Sequence, residues 1–314
     1  MRTLLNIFLV FSPVVVHAQL WAEVIPANDW EKYGWKGKVY TVKEVKYHAV
    51  EKNGKVLPGK RAVTNMHDEM DTGMEFDKTG KLVKETSFYF EKKEIAWSHY
   101  IYKYDGHNRI ISTEAVYSNR STGKTLVTRN DDSLTETSVS YESDPSKPYH
   151  TCVTKYDSAL RMTGIRHYSD EGKLTHEWIY RYDIKGRKTH ELSHNPEKPI
   201  SGFIFEYDDV HLKKTIFQYR DTSKTAYSHT VEYYSQDGLL LTDTTYGSSG
   251  FVSVDQYTYD SLKNLTETKI YWDGELKFHT RYNLTYDKNK NVTKMIVYRF
   301  EHPEYVIQRD IRYF

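Results

Sequence analysis

The feature that most constrains this chain is a short string that keeps returning. Tyr102-Lys-Tyr-Asp105, Thr154-Lys-Tyr-Asp157, Tyr180-Arg-Tyr-Asp183, Phe205-Glu-Tyr-Asp208, Tyr257-Thr-Tyr-Asp260 and Leu284-Thr-Tyr-Asp287 share one pattern, with Glu75-Phe-Asp77 as an earlier copy. The gaps between successive aspartates are 28, 52, 26, 25, 52 and 27 residues. Each gap of 52 holds a degenerate copy, near Arg129–Leu134 and at Val231-Glu-Tyr-Tyr234. A period of about 26 residues belongs to repeat architectures, in which one supersecondary unit stacks on the next.

Each unit carries its own instructions. The alternating aromatic–polar–aromatic triplet is a half-buried strand. Asp followed by Gly or Asn, as in Asp183-Ile-Lys-Gly186 and Asp287-Lys-Asn-Lys-Asn291, is turn chemistry, because Asp bonds its own backbone ahead and Gly or Asn accepts positive φ. A second strand follows and ends at a second turn, such as Asp170-Glu-Gly172 or Trp272-Asp-Gly274. Two strands and two short turns fill the period and predict an antiparallel meander. From Leu276 to Asp287, Leu276, Phe278, Tyr282, Leu284 and Tyr286 fall on one parity, with Thr280 among them, and Lys277, His279, Arg281, Asn283 and Thr285 on the other, which predicts one apolar face and one wet face.

The copies Tyr180-Arg-Tyr-Asp-Ile-Lys-Gly-Arg187 and Tyr102-Lys-Tyr-Asp-Gly-His-Asn-Arg109 resemble the YD repeat of the Rhs family. The likeness runs over roughly residues 50–295 and extends to small exported proteins of Bacteroidota. It implies long curved sheets of β-hairpins in exported or cell-surface proteins, which in the best-known members form a hollow shell around a toxin. With nine or ten repeats and no spare segment for cargo, this array is expected not to close. The expected fold is all-β: an open, twisted, single-layer antiparallel meander of about twenty strands. At ~4.8 Å per strand it would be on the order of 95 Å long. Its free edges would invite self-association.

The ends break the pattern. Arg2, the apolar run Leu4–Val16 and the small residues near Ala18 read as a signal peptide over 1–18, too short for a stable membrane span. Residues 19–49, with Trp21, Trp30 and Trp35, read as a cap with the first strand, 50–298 as the array, and 299–314 as a capping hairpin turning at Glu301-His302-Pro303. Without residues 1–18 the chain has 43 basic and 43 acidic residues. A balanced chain has no net field to draw nucleic acid. Cys152 is the lone cysteine, so no internal disulfide forms.

Hydrophobic residues make up 38% of the chain and tyrosines number 28, so ladder packing of aromatics replaces a thick aliphatic core. Tyr102, Tyr104, Tyr180, Tyr182, Phe205, Tyr207, Tyr257, Tyr259 and Tyr286 are the candidate binding residues, expected on the concave side and suited to a glycan or a protein at the cell surface. His190-Glu191-Leu-Ser-His194 matches the zinc-peptidase string H-E-x-x-H. That string needs a helix, and here it falls on a strand, where i and i+4 lie ~13 Å apart. The Asp-rich turns offer one or two carboxylates each, short of a calcium site. Gly247-Ser-Ser-Gly250 reads as a turn, and the other histidines look scattered. The leading expectation is an exported, non-enzymatic binding or scaffold protein with no cofactor, metal or transmembrane helix. A zinc hydrolase and an outer-membrane β-barrel are the alternatives.

Overall fold

In the computed structural model, the described residues are 26, 28–62, 71–91, 94–107, 109–142, 144, 146–220 and 225–314. The stretch read as a signal peptide, 1–18, and the first part of the expected cap, Trp21 included, lie outside them. One short helix, α1 (Asp29–Lys32), precedes β1 (Val39–Lys52), β2 (Lys55–Arg61), β3 (Asp71–Phe76), β4 (Leu82–Glu91), β5 (Glu94–Tyr104), β6 (Ile110–Tyr117) and β7 (Thr122–Asn130). Then come β8 (Thr135–Tyr141), β9 (Pro148–Tyr156), β10 (Met162–Ser169), β11 (Leu174–Tyr182), β12 (Lys188–His194), β13 (Ser201–Asp208) and β14 (Lys213–Tyr219). The chain ends with β15 (Ser228–Tyr234), β16 (Leu240–Gly247), β17 (Val252–Tyr259), β18 (Leu265–Trp272), β19 (Glu275–Tyr286), β20 (Val292–Arg299) and β21 (His302–Tyr313).

From β3 to β21 every strand pairs antiparallel with the next, as a meander should. The expectation of an open sheet is overturned at the ends. β1 pairs with β21 from Val39↔Tyr313 to His48↔Tyr305, and its other edge takes β3 at Thr41–Lys43. The result is a closed barrel of twenty strands, with β2 added as a short hairpin partner of β1. Closure needs only that the first and last strands meet after the sheet has coiled once round, and far fewer strands than twenty can do this. The supposed length of the sheet is therefore a circumference, equivalent to a ring about 30 Å across before tilt widens it. Closure also pairs the two sheet ends expected to be free, and among the described residues β2, paired only with β1, keeps an open edge.

The C-terminal hairpin turns one residue earlier than expected, at Phe300 and Glu301, both at positive φ (47° and 67°). That is the two-residue turn whose twist suits a hairpin. Pro303 lies inside β21, opposite Tyr298. The segment closes the ring rather than capping an end.

The turns named by the repeat are built alike. In Asp183–Arg187 the Asp183 N–H donates to the Arg187 carbonyl at 2.9 Å, and Gly186 takes positive φ (81°). The Asp183 carboxylate accepts the N–H groups of Lys185 and Arg187, both at 2.9 Å. Lys263 and Lys290 hold the same left-handed position at φ 66°, where their repeats lack glycine. The turns of the two degenerate copies fall in place at the same rim, at Asp131–Leu134 and at Ser235–Leu239.

Gly80 is the most exacting of these positions. At φ 89° a Cβ there would stand 2.6 Å from the Trp30 ring, whereas at Gly186 the nearest atom is the flexible Arg161 guanidinium at 3.3 Å. Gly80→Ala should therefore cost more than Gly186→Ala, which carries mainly the left-handed penalty of about 1–2 kcal/mol. Paired urea titrations of the two variants test this order.

Following the register round the ring keeps two sets of side chains on two faces. Exposure tells which face is concave. In β7, Gly123, Thr125, Val127 and Arg129 are half-buried, while Thr122, Lys124, Leu126, Thr128 and Asn130 are exposed. The half-buried set faces the lumen, where curvature crowds neighbours together. Val42, Phe76 and Leu82 share that face and with Val39 form the main buried apolar cluster, covered by Trp30, Tyr33 and Trp35. Residues 28–35 thus lie inside the mouth at the aspartate rim, held by Asp29 N–H to the Gly80 carbonyl (2.9 Å).

Candidate functional site: the lumen wall

The nine aromatic candidates all stand on the lumen face. They divide into two kinds. The second aromatic of each triplet is a staple. Tyr104 donates to the Leu82 carbonyl (2.7 Å), Tyr182 to Met162 (2.8 Å), Tyr207 to Lys188 (2.7 Å) and Tyr259 to Leu240 (2.9 Å). Tyr286 donates to the Asp260 carboxylate. Each bond reaches back to the preceding hairpin, so these hydroxyls are spent on structure.

The first aromatic points toward charge. Tyr102 donates to Glu85 at 3.0 Å and Tyr257 to Asp243 at 2.9 Å. The Lys188 ammonium lies 4.8 Å from the Tyr180 ring centre, and the Lys214 ammonium 5.5 Å from that of Phe205. Lys214–Glu232 (2.8 Å), Arg129–Glu136 (2.6 Å) and Arg309–Glu44 (2.6 Å) add partly buried ion pairs on the same face. Asp243 stands directly opposite Asp255, two carboxylates in one cross-strand pair. The wall is therefore wet, charged and aromatic at once. It resembles a solute-facing surface more than a packed core.

A pocket of about 630 Å³ opens beside α1 at the aspartate rim, lined by Asp29, Tyr104, Arg129, Glu136 and Tyr156 among others. The rim itself is a chain of linked charges. Arg109, Arg161 and Arg187 each donate Nε–H to the aspartate four residues back, at 2.9, 2.8 and 2.6 Å. The Arg161 guanidinium lies 4.7 Å from the ring centre of Tyr182, and that of Arg187 4.4 Å from Tyr207, one repeat onward.

These turns give the barrel an acid limit. At Asp105 the Arg109 backbone N–H and the Arg109 side chain hold the carboxyl down at about 2. At Asp157 and Asp183 burial pushes up, but hydrogen bonds from Arg161 and Arg187 win and hold the carboxyls low. A carboxyl depressed in the folded state stabilises above its unfolded pKa, near ~3.9, and loses that contribution as pH falls through the folded value. The contribution of these turns to the thermal midpoint should thus be constant above about pH 5 and drop between about pH 4 and pH 2. Asp105→Asn should flatten part of that drop.

The zinc-peptidase string lies on β12, with His190 and His194 on the outer face and Glu191 on the lumen face beside Lys188. Its two imidazoles cannot share an ion at two strand repeats' distance. Cys152 faces the lumen, opposite His167.

No family model matches this chain, and no curated protein matches it. Among solved structures, a porin-like protein from Bacteroides uniformis is similar over 88% of this chain and 98% of its own, at 10% identity and TM-score 0.37. A porin-like protein from Bacteroides vulgatus covers 73% of this chain and 97% of its own, at 11% identity and TM-score 0.27. The Tc holotoxin pore of Photorhabdus luminescens covers 81% of this chain and 22% of its own, at 10% identity and TM-score 0.13. Likenesses this distant transfer neither a site nor an activity.

One grouping was invisible in the sequence. His150, His167 and His176 come from three successive strands and meet on the lumen face. The expectation that these histidines are scattered is corrected by the register. The available signal was parity: His150 and His176 each stand six residues before the second aromatic of their turns, Tyr156 and Tyr182.

Proposed function

We propose that this chain is an exported, non-enzymatic β-barrel of the outer membrane, a conduit or vessel for polar solutes. The observation that carries this reading is the closed ring of twenty strands around a charged, tyrosine-lined lumen. Barrels of 16–18 strands already leave an aqueous passage. A strand-built wall crosses a bilayer with every backbone group satisfied, which an open sheet cannot do. Among the described residues no helix is long and apolar enough to cross a membrane, which a β-barrel does not require.

The outer face supplies a second support. Trp97, Tyr141, Tyr168, Tyr219, Tyr246, Tyr271 and Tyr298 point outward near the rim opposite the aspartates. Such a ring suits a headgroup interface. We further propose that its repeated aspartate turns relate the barrel to the YD-repeat proteins.

A specific observation favours a second reading, a barrel surrounded by water within the envelope and binding a glycan or protein. Lys103–Glu114 (2.7 Å) and Arg166–Glu177 (2.6 Å) sit outward on the strands. A lipid-facing Lys or Arg costs about 2–4 kcal/mol at the bilayer midplane and about 0–1 near the interfaces. Carbonate washing of membranes from cells expressing the full chain separates the two readings. Retention in the pellet, with a folded band that shifts on boiling in detergent gels, is expected for the outer-membrane barrel. Complete release into the wash leaves the second reading.

A further inference from the structure

We propose that His150 and His167 form a chelating site on the lumen wall for a late first-row divalent cation such as zinc, nickel or copper. β9 presents His150 and Cys152 on one face, and β10 places His167 directly opposite Cys152. β11 then sets His176 opposite His167. Three imidazoles and one thiol, from strands with no shared sequence motif, thus occupy one patch of the inner surface.

The geometry of the first two is the decisive part. His150 Nε2 and His167 Nδ1 lie 3.0 Å apart, with ring centres 5.2 Å apart and planes inclined by 33°. A contact of this kind needs one N–H and one lone pair, so the pair holds a proton between two nitrogens that are both metal ligands when unprotonated. A cation can take that proton's place. Two nitrogens bound at ~2.0–2.1 Å to a tetrahedral ion are about 3.3 Å apart. The nitrogens already stand within a few tenths of an ångström of that separation, and a small ring rotation supplies the rest.

The surroundings fit the same chemistry. His176 is fixed by its Nε2 contact with Ser193 Oγ at 2.8 Å and meets His167 edge-on, with centroids 6.4 Å apart. Ser140 and Ser169 flank His150 in the register. Neighbours of this kind hold ligating rings in place. Imidazole donors select zinc, copper or nickel over calcium and magnesium, which take oxygen. Among the described residues no three His, Cys, Asp or Glu side chains converge on one point. The pair therefore supplies two ligands, and solvent from the open lumen supplies the others. The site rests on strand register, so it does not depend on whether lipid or water surrounds the barrel.

The test uses the whole processed chain and the metal alone. Titration calorimetry with zinc chloride and with nickel chloride should show one equivalent bound and none with magnesium chloride. His150→Gln and His167→Gln should each weaken binding by about tenfold or more. His190→Gln with His194→Gln should leave it unchanged. Copper loaded on Cys152→Ser protein gives a measurement that needs no histidine variant. Its paramagnetic resonance spectrum should show hyperfine structure from two nitrogens. Absence of saturable zinc or nickel binding overturns the proposal, and so does unaltered binding by a folded His167→Gln chain. A copper spectrum without two nitrogens does the same.

Discussion

A chain carrying Lys43→Cys, Asp310→Cys and Cys152→Ser should form an intramolecular disulfide on mild oxidation and gain about 5 kcal/mol of stability at most. Lys43 and Asp310 are register partners across the β1–β21 ladder, both exposed on the outer face. Directly opposed residues in an antiparallel pair have Cα atoms about 4.5–5.5 Å apart, inside the range a disulfide spans. The new loop would enclose almost the whole chain, which is the case with the largest expected entropic effect. Native strain will reduce the gain but not the cross-link. An open sheet of twenty strands would hold these two residues tens of ångströms apart, and oxidation would then yield only dimers or nothing. Unboiled gels run with and without reductant, followed by denaturant titration of both forms, give the answer. Dimers alone would sink the closed ring, and with it the lumen.

That ring is the part of the fold the sequence did not disclose, and the reason is physical. Everything local was legible. Asp183, Gly186 and Arg187 specify their turn within five residues, and the Tyr-x-Tyr alternation marks the inner face. Whether a meander closes depends on small twists summed over twenty strands, and on whether the first and last strands match. The clue was length. β1 runs for 14 residues and β21 for 12, against seven to nine for most strands between them. Long terminal strands are what two sheet ends need in order to zip together. The lumen site was illegible for a related cause. His150 and His167 are 17 residues apart in sequence, and only the β9–β10 ladder makes them neighbours. The tyrosines were legible as a set, but their division into staples and lumen-facing rings depends on bonds to the hairpin before, as in Tyr207 to the Lys188 carbonyl.

Phe76→Ala should destabilise the barrel by about 3–5 kcal/mol, whereas Phe205→Ala should cost far less. In an open array each repeat would contribute alike, and the two substitutions would be comparable. In the closed ring one seam has the shortest ladder. β1 meets β21 through nine register pairs but meets β3 through only three, Thr41↔Glu75, Val42↔Met74 and Lys43↔Gly73. Side chains must hold what the short ladder does not. Asp71, 2% exposed, accepts the Lys46 N–H at 2.7 Å and pairs with Arg61 at 2.5 Å. Phe76, 1% exposed, packs with Val39, Val42 and Leu82 beneath Trp30 and Trp35. Removing its ring leaves a cavity where sheet, helix and seam meet, and the lost transfer energy and the void add. Phe205 is only half-buried on the lumen wall, and solvent fills the space it vacates. Urea titrations of both variants give the two costs. Hydrogen exchange should show β1 and β3 losing protection before β13 in the Phe76→Ala chain, since the weakest ladder opens first. Equal costs at the two sites, or first opening elsewhere in the ring, would mean that the seam is no weaker than any other pair of strands.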